Sequence, residues 1–157
     1  MIKAILVDDE MHGLDTLEIL LTEFCPEVKV IDRCSSAKKA LESITKTKPD
    51  LVFLDIEMPV MNGFELLEFL RKNPHLAVIP TIVFTSSADR NDVTNAYLLG
   101  ANSYQVKSQT LDALCAQLKL LYEYWMNCEV PDIDKAGNLI PTEGSGKLSE
   151  KIARRGG

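Results

Sequence analysis

The sequence predicts an α/β fold in which five strand–helix units build one parallel sheet with helices on both faces. Two observations carry this. Short apolar runs alternate with segments of helical periodicity along most of the chain, which is the pattern of βα repeats rather than of hairpins. Three of the runs, Ile2–Val7, Leu51–Leu54 and Ile79–Phe84, are largely apolar, as strands buried on both sides must be. Right-handed crossovers then leave few topologies, and the doubly wound strand order 2-1-3-4-5 is the expected one.

Each element has its own signal. Ile2–Val7 runs into Asp8, Asp9 and Glu10. Leu14, Leu17, Leu21 and Phe24 follow at spacings of three and four, one face of a helix that Pro26 stops. Val28, Val30 and Ile31 make a second strand, and Ser35 or Ser36 can cap a helix carrying Ala37, Ala40, Leu41 and Ile44. The third strand, Leu51–Leu54, closes on Asp55. Pro59 and Gly63 mark a loop, and Phe64–Leu70 begins a helix. The fourth strand, Ile79–Phe84, ends at Thr85, Ser86 and Ser87. Asp89 or Asn91 can cap the next helix, which Gly100 ends. Ser103–Val106 is a short fifth strand that ends at Lys107, and the last helix runs from about Thr110 to Asn127. This is a flavodoxin-like arrangement.

Residues 1–127 are expected to form one domain and 128–157 an irregular tail or linker. Pro131, Asp132, Gly137, Asn138, Pro141, Gly144 and Gly146 crowd this last stretch. Within it, Ser145–Arg155 can form one short helix with Leu148 and Ile152 on one side, marginal by itself.

Composition narrows the function classes. Of 157 residues, 46% are apolar and 25% charged, ordinary for a globular chain. The start MIKAILVDDE lacks the apolar region and cleavage site of a signal peptide, and no apolar run is long enough to span a membrane, so a cytoplasmic location is expected. The net charge is −6, and the one basic cluster is Lys147, Lys151, Arg154 and Arg155, so direct nucleic-acid binding is not expected. Cys25, Cys34, Cys115 and Cys128 lie far apart with no CxxC, and are read as buried or half-buried thiols. His12 and His75 are assigned no role.

In open α/β sheets, ligand sites lie beyond the carboxyl ends of the strands. Those ends here deliver Asp8, Asp9 and Glu10, then Asp55, then Thr85 and Ser86, then Lys107. Strands 1, 3 and 4 are central neighbours, so three carboxylates, a hydroxyl and an ammonium are expected in one shallow cleft. Two carboxylates about 4 Å apart repel by roughly 4 kcal/mol at an effective dielectric near 20, and a divalent cation removes that cost. Magnesium prefers hard oxygen ligands and one or two carboxylates plus a phosphate oxygen. Asp9 and Asp55 suit it as direct ligands, with Asp8 acting through water. A phosphoryl group on Asp55 would complete the set, and Thr85, Lys107 and backbone N–H groups would receive its other oxygens. The plain alternatives are that Asp8 and Asp9 only cap the first helix, and that Thr85 is an ordinary strand-end hydroxyl.

The segments VDDE, FLDIEMPVMNG, FTSS and YQVK resemble the receiver domains of two-component signalling over roughly residues 1–126. The resemblance implies that Asp55 is the phosphoacceptor, charged by a sensor histidine kinase or a phosphotransfer protein. It implies that Asp8 and Asp9 form the acidic pocket, and that the backbone carbonyl of Glu57 is a further magnesium ligand. It also implies that Thr85 and Lys107 read the phosphoryl group, and that Tyr104 is an aromatic switch whose ring turns inward as Thr85 moves; packing is the plain alternative for Tyr104. Residues up to about Glu68 are most similar to receivers that carry a LytTR-type DNA-binding domain. From about Asn73 the chain is more similar to small stand-alone regulators partnered with bacterial phytochromes. One departure is Ser108, where the family usually has a cis proline after the lysine. A cis bond to a non-proline costs about 2.5–4 kcal/mol, so a trans bond is expected.

Two other chemistries are compatible with a strand-end site. A haloacid-dehalogenase-like phosphatase also uses a strand-end aspartyl nucleophile, but its DxDxT pattern is not met by Asp55-Ile56-Glu57-Met58-Pro59. A flavodoxin-type FMN site needs a Ser/Thr/Gly phosphate loop where this chain has acids, and a GxxxxGK[ST] loop is absent. The expected role is therefore a signalling switch rather than a turnover enzyme, with self-phosphorylation and self-dephosphorylation at most. In the last helix, Leu111, Leu114, Leu118, Leu121 and Trp125 form the core stripe. Leu120, Tyr122, Tyr124 and Met126 exceed it, which points to a homodimer through the face that includes this helix; the plain alternative is a tail that folds back over it.

Overall fold

The structure is a computed structural model and describes residues 1–59, 61–131 and 145–150. Its elements are β1 (Ile2–Val7), α1 (Met11–Phe24), β2 (Val28–Cys34), α2 (Ala37–Thr47), β3 (Leu51–Leu54), α3 (Gly63–Lys72), β4 (Thr81–Thr85), α4 (Arg90–Leu98), β5 (Ser103–Val106), α5 (Leu111–Asn127), β6 (Glu129–Pro131) and β7 (Ser145–Lys147). The first five strands form a parallel sheet in the order β2-β1-β3-β4-β5, as the alternation of elements predicts.

Side chains leave a strand alternately on its two faces, and the core divides accordingly. Ala4, Leu6, Phe53, Ile82 and Phe84 pack with Leu14, Leu17 and Leu21 of α1 and with Leu118, Leu121 and Trp125 of α5. Ile5, Val7, Val52, Leu54 and Val83 pack on the other side with Ala40 and Ile44 of α2, Leu66, Leu67 and Leu70 of α3, and Ala96 of α4. The caps follow local chemistry: Ser36 rather than Ser35 accepts from Lys39 N, Asn62 from Glu65 N, Asp89 from Asn91 N, and Thr110 from Ala113 N. Gly100 takes φ +95° after α4, the left-handed conformation glycine adopts at a helix end.

The fourth strand starts at Thr81, two residues later than expected. Pro80 has no N–H to give a neighbouring strand, and the carbonyls of Ala77 and Ile79 are instead taken by Arg71 Nη1, both at 3.3 Å. Arg71 also donates from Nε to Gly100 O (2.7 Å) and from Nη2 to Asn102 Oδ1 (2.9 Å). One guanidinium thus ties the end of α3 to the starts of β4 and β5.

Beyond α5, β6 and β7 pair antiparallel. Leu148 N donates to Cys128 O at 3.0 Å, and the Leu148 side chain is buried in the α1/α5 core. Within the segment expected to form a terminal helix, Ser145–Lys147 is strand and 148–150 is helical. Its remainder, including Ile152, lies outside the described residues. The stripe on α5 also differs from expectation. Leu111, in the first turn, is exposed, Leu114 is half-buried, and Tyr122 and Met126 pack against the core. The outward set is therefore Leu111, Leu120 and Tyr124.

Candidate functional site

The sheet register sets the site. Val7 lies beside Leu54, and Thr85 beside Val106. The ladder runs one residue further at each carboxyl end. Asp8 N donates to Cys34 O (3.1 Å), Asp55 N to Val7 O (2.8 Å) and Lys107 N to Thr85 O (2.7 Å). The backbone therefore fixes where Asp8, Asp55 and Lys107 project, all at the same edge as Thr85.

Their side chains converge. Lys107 Nζ donates to Asp8 Oδ2 at 2.7 Å and to Asp55 Oδ2 at 3.2 Å. Thr85 Oγ1 donates to Asp55 Oδ1 at 2.8 Å, and Glu57 N donates to the same oxygen at 2.9 Å. Asp8 Oδ1 accepts from Glu10 N at 2.9 Å. The carboxylates are 8% exposed and the lysine side chain 23%. Burial by itself would lower the Lys107 pKa, but the hydrogen bond to Asp8 and the charges of Asp55 and Asp8 outweigh it, and the ammonium is held above its ordinary range. Burial, with the charges of Asp55 and Asp92, raises the Glu57 carboxyl.

A second layer ties this cluster to α4. Ser87 N donates to Thr85 Oγ1 at 3.4 Å, and Ser87 Oγ donates to Asp92 Oδ2 at 2.5 Å. Tyr104 is half-buried, and its hydroxyl donates to Ser87 O at 2.8 Å. Burial raises its pKa, partly opposed by that bond. Tyr97 of α4 accepts from Tyr104 N at 3.3 Å.

Asp8, Asp55, Thr85 and Lys107 thus meet as the strand ends predict, and Tyr104 stands behind them, linked to Thr85 through Ser87. Asp9 is exposed and forms none of the hydrogen bonds described above. The Glu57 side chain is also exposed, and only its N–H reaches Asp55. Of the three carboxylates, hydroxyl and ammonium expected in one cleft, the buried cluster holds two carboxylates, Asp8 and Asp55, bridged by the Lys107 ammonium, with the Thr85 hydroxyl on Asp55. Among the described residues no group of three His, Cys, Asp or Glu side chains stands together as a cation cage. Capping by Asp8 is not what holds α1, whose N-cap Glu10 makes no side-chain cap bond. The Lys107–Ser108 bond is trans, since no cis peptide occurs among the described residues.

Other residues matter here that patterning did not single out. A Cβ on Gly63 would sit 2.6 Å from Asp55 O and 2.7 Å from Ile56 Cα. Only glycine lets the start of α3 approach the Asp55–Ile56 backbone this closely. Its signal is the MNG turn, which by itself marks only a loop. Gln117 of α5 hydrogen-bonds both sides of Lys107, and nothing local in the sequence marks it.

No helix among the described residues is long and apolar enough to cross a membrane. The family model for the response regulator receiver domain matches residues 4–119. The chain is 37% identical over 108 residues to a protein-glutamate methylesterase/protein-glutamine glutaminase of Myxococcus xanthus, covering 69% of this chain and 30% of that protein. It is 38% identical over 121 residues to the sensory transduction protein LytT of Bacillus anthracis, covering 76% of this chain and 46% of that protein. The chain therefore spans less than half the length of these relatives. Among solved structures, the Mn2+-bound response regulator Rcp1 superposes with a TM-score of 0.72 at 25% identity, covering 80% of this chain and 94% of that one. By sequence and by fold, the chain belongs to the family of response regulator receiver domains of two-component signalling.

Proposed function

We propose that this domain is a cytoplasmic phosphorylation switch. It accepts a phosphoryl group on Asp55 from a sensor histidine kinase or a phosphotransfer protein and signals to a partner by a change of shape. The observation that carries this is Asp55 itself: a buried strand-end carboxylate with both oxygens held by Thr85, Lys107 and Glu57 N. One carboxylate oxygen attacks phosphorus, the bond from phosphorus to the donor breaks, and the donor's leaving group takes up a proton. Lys107 and Thr85, already hydrogen-bonded to Asp55, are placed to donate to the new phosphoryl oxygens. Thr85 moving toward them would draw on Ser87 and so on Tyr104 and Asp92, which supports Tyr104 as the switch residue.

The site also suits magnesium. Its side-chain acceptors are hard carboxylate oxygens, and the space between Asp8 and Asp55 already accommodates one positive charge. Asp8, Asp9 and Asp55, with the backbone carbonyl of Glu57, would hold the ion; when bound it neutralises charge on the phosphoryl oxygens. The Mn2+-bound state of Rcp1 supports a divalent ion in this family. Phosphoramidate or acetyl phosphate with magnesium should label the protein, and Asp55→Asn should abolish the label. Persistent labelling of that variant would show that another residue is the acceptor.

A second copy of the chain is the proposed assembly partner, through the face that includes α5. Leu111, Leu120 and Tyr124 are 61%, 68% and 62% exposed, and Leu120 and Tyr124 line a largely apolar groove with Ser103, Gln105, Gln117 and Leu121. Sedimentation should show a dimer in the presence of a phosphoryl mimic. A monomer with and without it would refute this assembly.

A further inference from the structure

Lys107 can serve the site only if its backbone is held while its ammonium spans two carboxylates. Thr85 O fixes its N–H. One side chain on α5 holds the peptide groups on either side of it. Gln117 Nε2 donates to Val106 O at 2.8 Å and to Gln105 Oε1 at 3.1 Å. Gln117 Oε1 accepts from Ser108 N at 3.2 Å and from Ser108 Oγ at 3.1 Å. Val106 O and Ser108 N belong to the two peptide groups that flank the Lys107 Cα, so one planar amide grips both. Its orientation is unambiguous: exchanging oxygen and nitrogen would set N–H against N–H and carbonyl against carbonyl. Gln117 is half-buried, in the second turn of α5, which is capped by Thr110. A helix is a rigid platform, so the clasp refers the placement of Lys107 to the body of the domain.

We propose that Gln117 is a positioning residue for the phosphoryl-reading lysine: its carboxamide clasps the peptide groups on either side of Lys107 and so sets the reach of the ammonium into the acceptor site. This rests on the reading of Lys107 as a residue that contacts the phosphoryl group. It also makes α5 sensitive to that contact, because a shift of Lys107 toward a phosphoryl oxygen loads the clasp directly. Gln117 acts through Lys107 and touches no reacting atom.

The test is a double-mutant cycle on the full chain, reading the affinity for fluoroberyllate, a phosphoryl mimic, in saturating magnesium by calorimetry. Lys107→Met keeps the stem and should weaken binding roughly tenfold to a hundredfold, the loss of one charge-assisted hydrogen bond. Gln117→Met keeps length and helix propensity but removes all four hydrogen bonds, and should weaken binding on the order of tenfold, the effect of a misplaced group. In the Lys107→Met background the same change should cost no more than about twofold, because there is no ammonium left to position. Gln117→Glu keeps the acceptor for Ser108 and loses the donors to Val106 and Gln105, so it should fall between; it carries the test if Gln117→Met does not fold. Wild-type affinity in both Gln117 variants, or an equal loss with and without Lys107, would overturn the proposal alone. Wild-type affinity in Lys107→Met would overturn the reading of Lys107 and this proposal with it.

Discussion

Replacing Lys107 by methionine is the most informative perturbation of stability, because its ammonium is the counter-charge for two buried carboxylates. Its ammonium lies 2.7 Å from Asp8 Oδ2 and 3.2 Å from Asp55 Oδ2, and both carboxylates are almost fully buried. At an effective dielectric near 20 each contact is a gross attraction of roughly 5–6 kcal/mol, most of it offset by desolvation. The net loss when one partner of a buried pair is removed is about 3–5 kcal/mol. Lys107 is itself partly exposed and Asp55 keeps Thr85 and Glu57 N, so the lower end applies, about 3 kcal/mol. For a domain of this size that is roughly 6–12 °C in melting temperature. Urea denaturation near neutral pH without divalent ions reads the loss directly. Adding magnesium should then stabilise Lys107→Met more than wild type, since the variant presents two unpaired carboxylates. The pH dependence has a definite sign. A folded-state pKa above the ordinary 10.5 gives stability that is fully present below pH 10.5 and is lost as pH rises through the folded value. Wild type should therefore show an alkaline loss of stability that Lys107→Met lacks. Equal stability of the two proteins without metal would refute the counter-charge argument.

Three further outcomes are expected. Gly63→Ala should destabilise the domain by about 1–3 kcal/mol and slow labelling of Asp55, because the added carbon meets backbone atoms of Asp55 and Ile56; unchanged denaturation and labelling would contradict this approach. Leu148→Ala should lower stability by about 2–4 kcal/mol, since Leu148 fills the α1/α5 core from beyond α5, and a truncation after Asn127 should lose at least as much; a neutral Leu148→Ala would mean that this contact does not form in solution. Burial pushes the Cys25 and Cys34 thiols up to about 11, so alkylation near pH 8 should modify half-buried Cys115 and Cys128 well before them, as mass spectrometry of partly modified protein would show. Rapid modification of Cys34 in the native state would count against its burial.

Much of this was legible in the sequence because its causes are local. Strand-like runs, caps such as Ser36 and Asp89, the helix end at Gly100 and the stop at Pro26 act within a few residues, and the alternation of elements then limits the sheet to few orders. The same logic places Asp8, Asp55, Thr85 and Lys107 at strand ends, hence together at one edge of the sheet. What only the tertiary structure decided depends on contacts between residues far apart in the chain. Lys107 and Asp8 are separated by 99 positions, and nothing local says that the ammonium lies between two carboxylates while Asp9 turns to solvent. Helical periodicity puts Leu111 on the core stripe, but the core does not extend to the first turn of α5, so it is exposed. Leu148 looks like part of a tail by composition, yet a backbone bond to Cys128 carries it into the core. Gln117 has no pattern that marks it, because its four partners sit on the neighbouring strand and loop and are assembled only when α5 packs there.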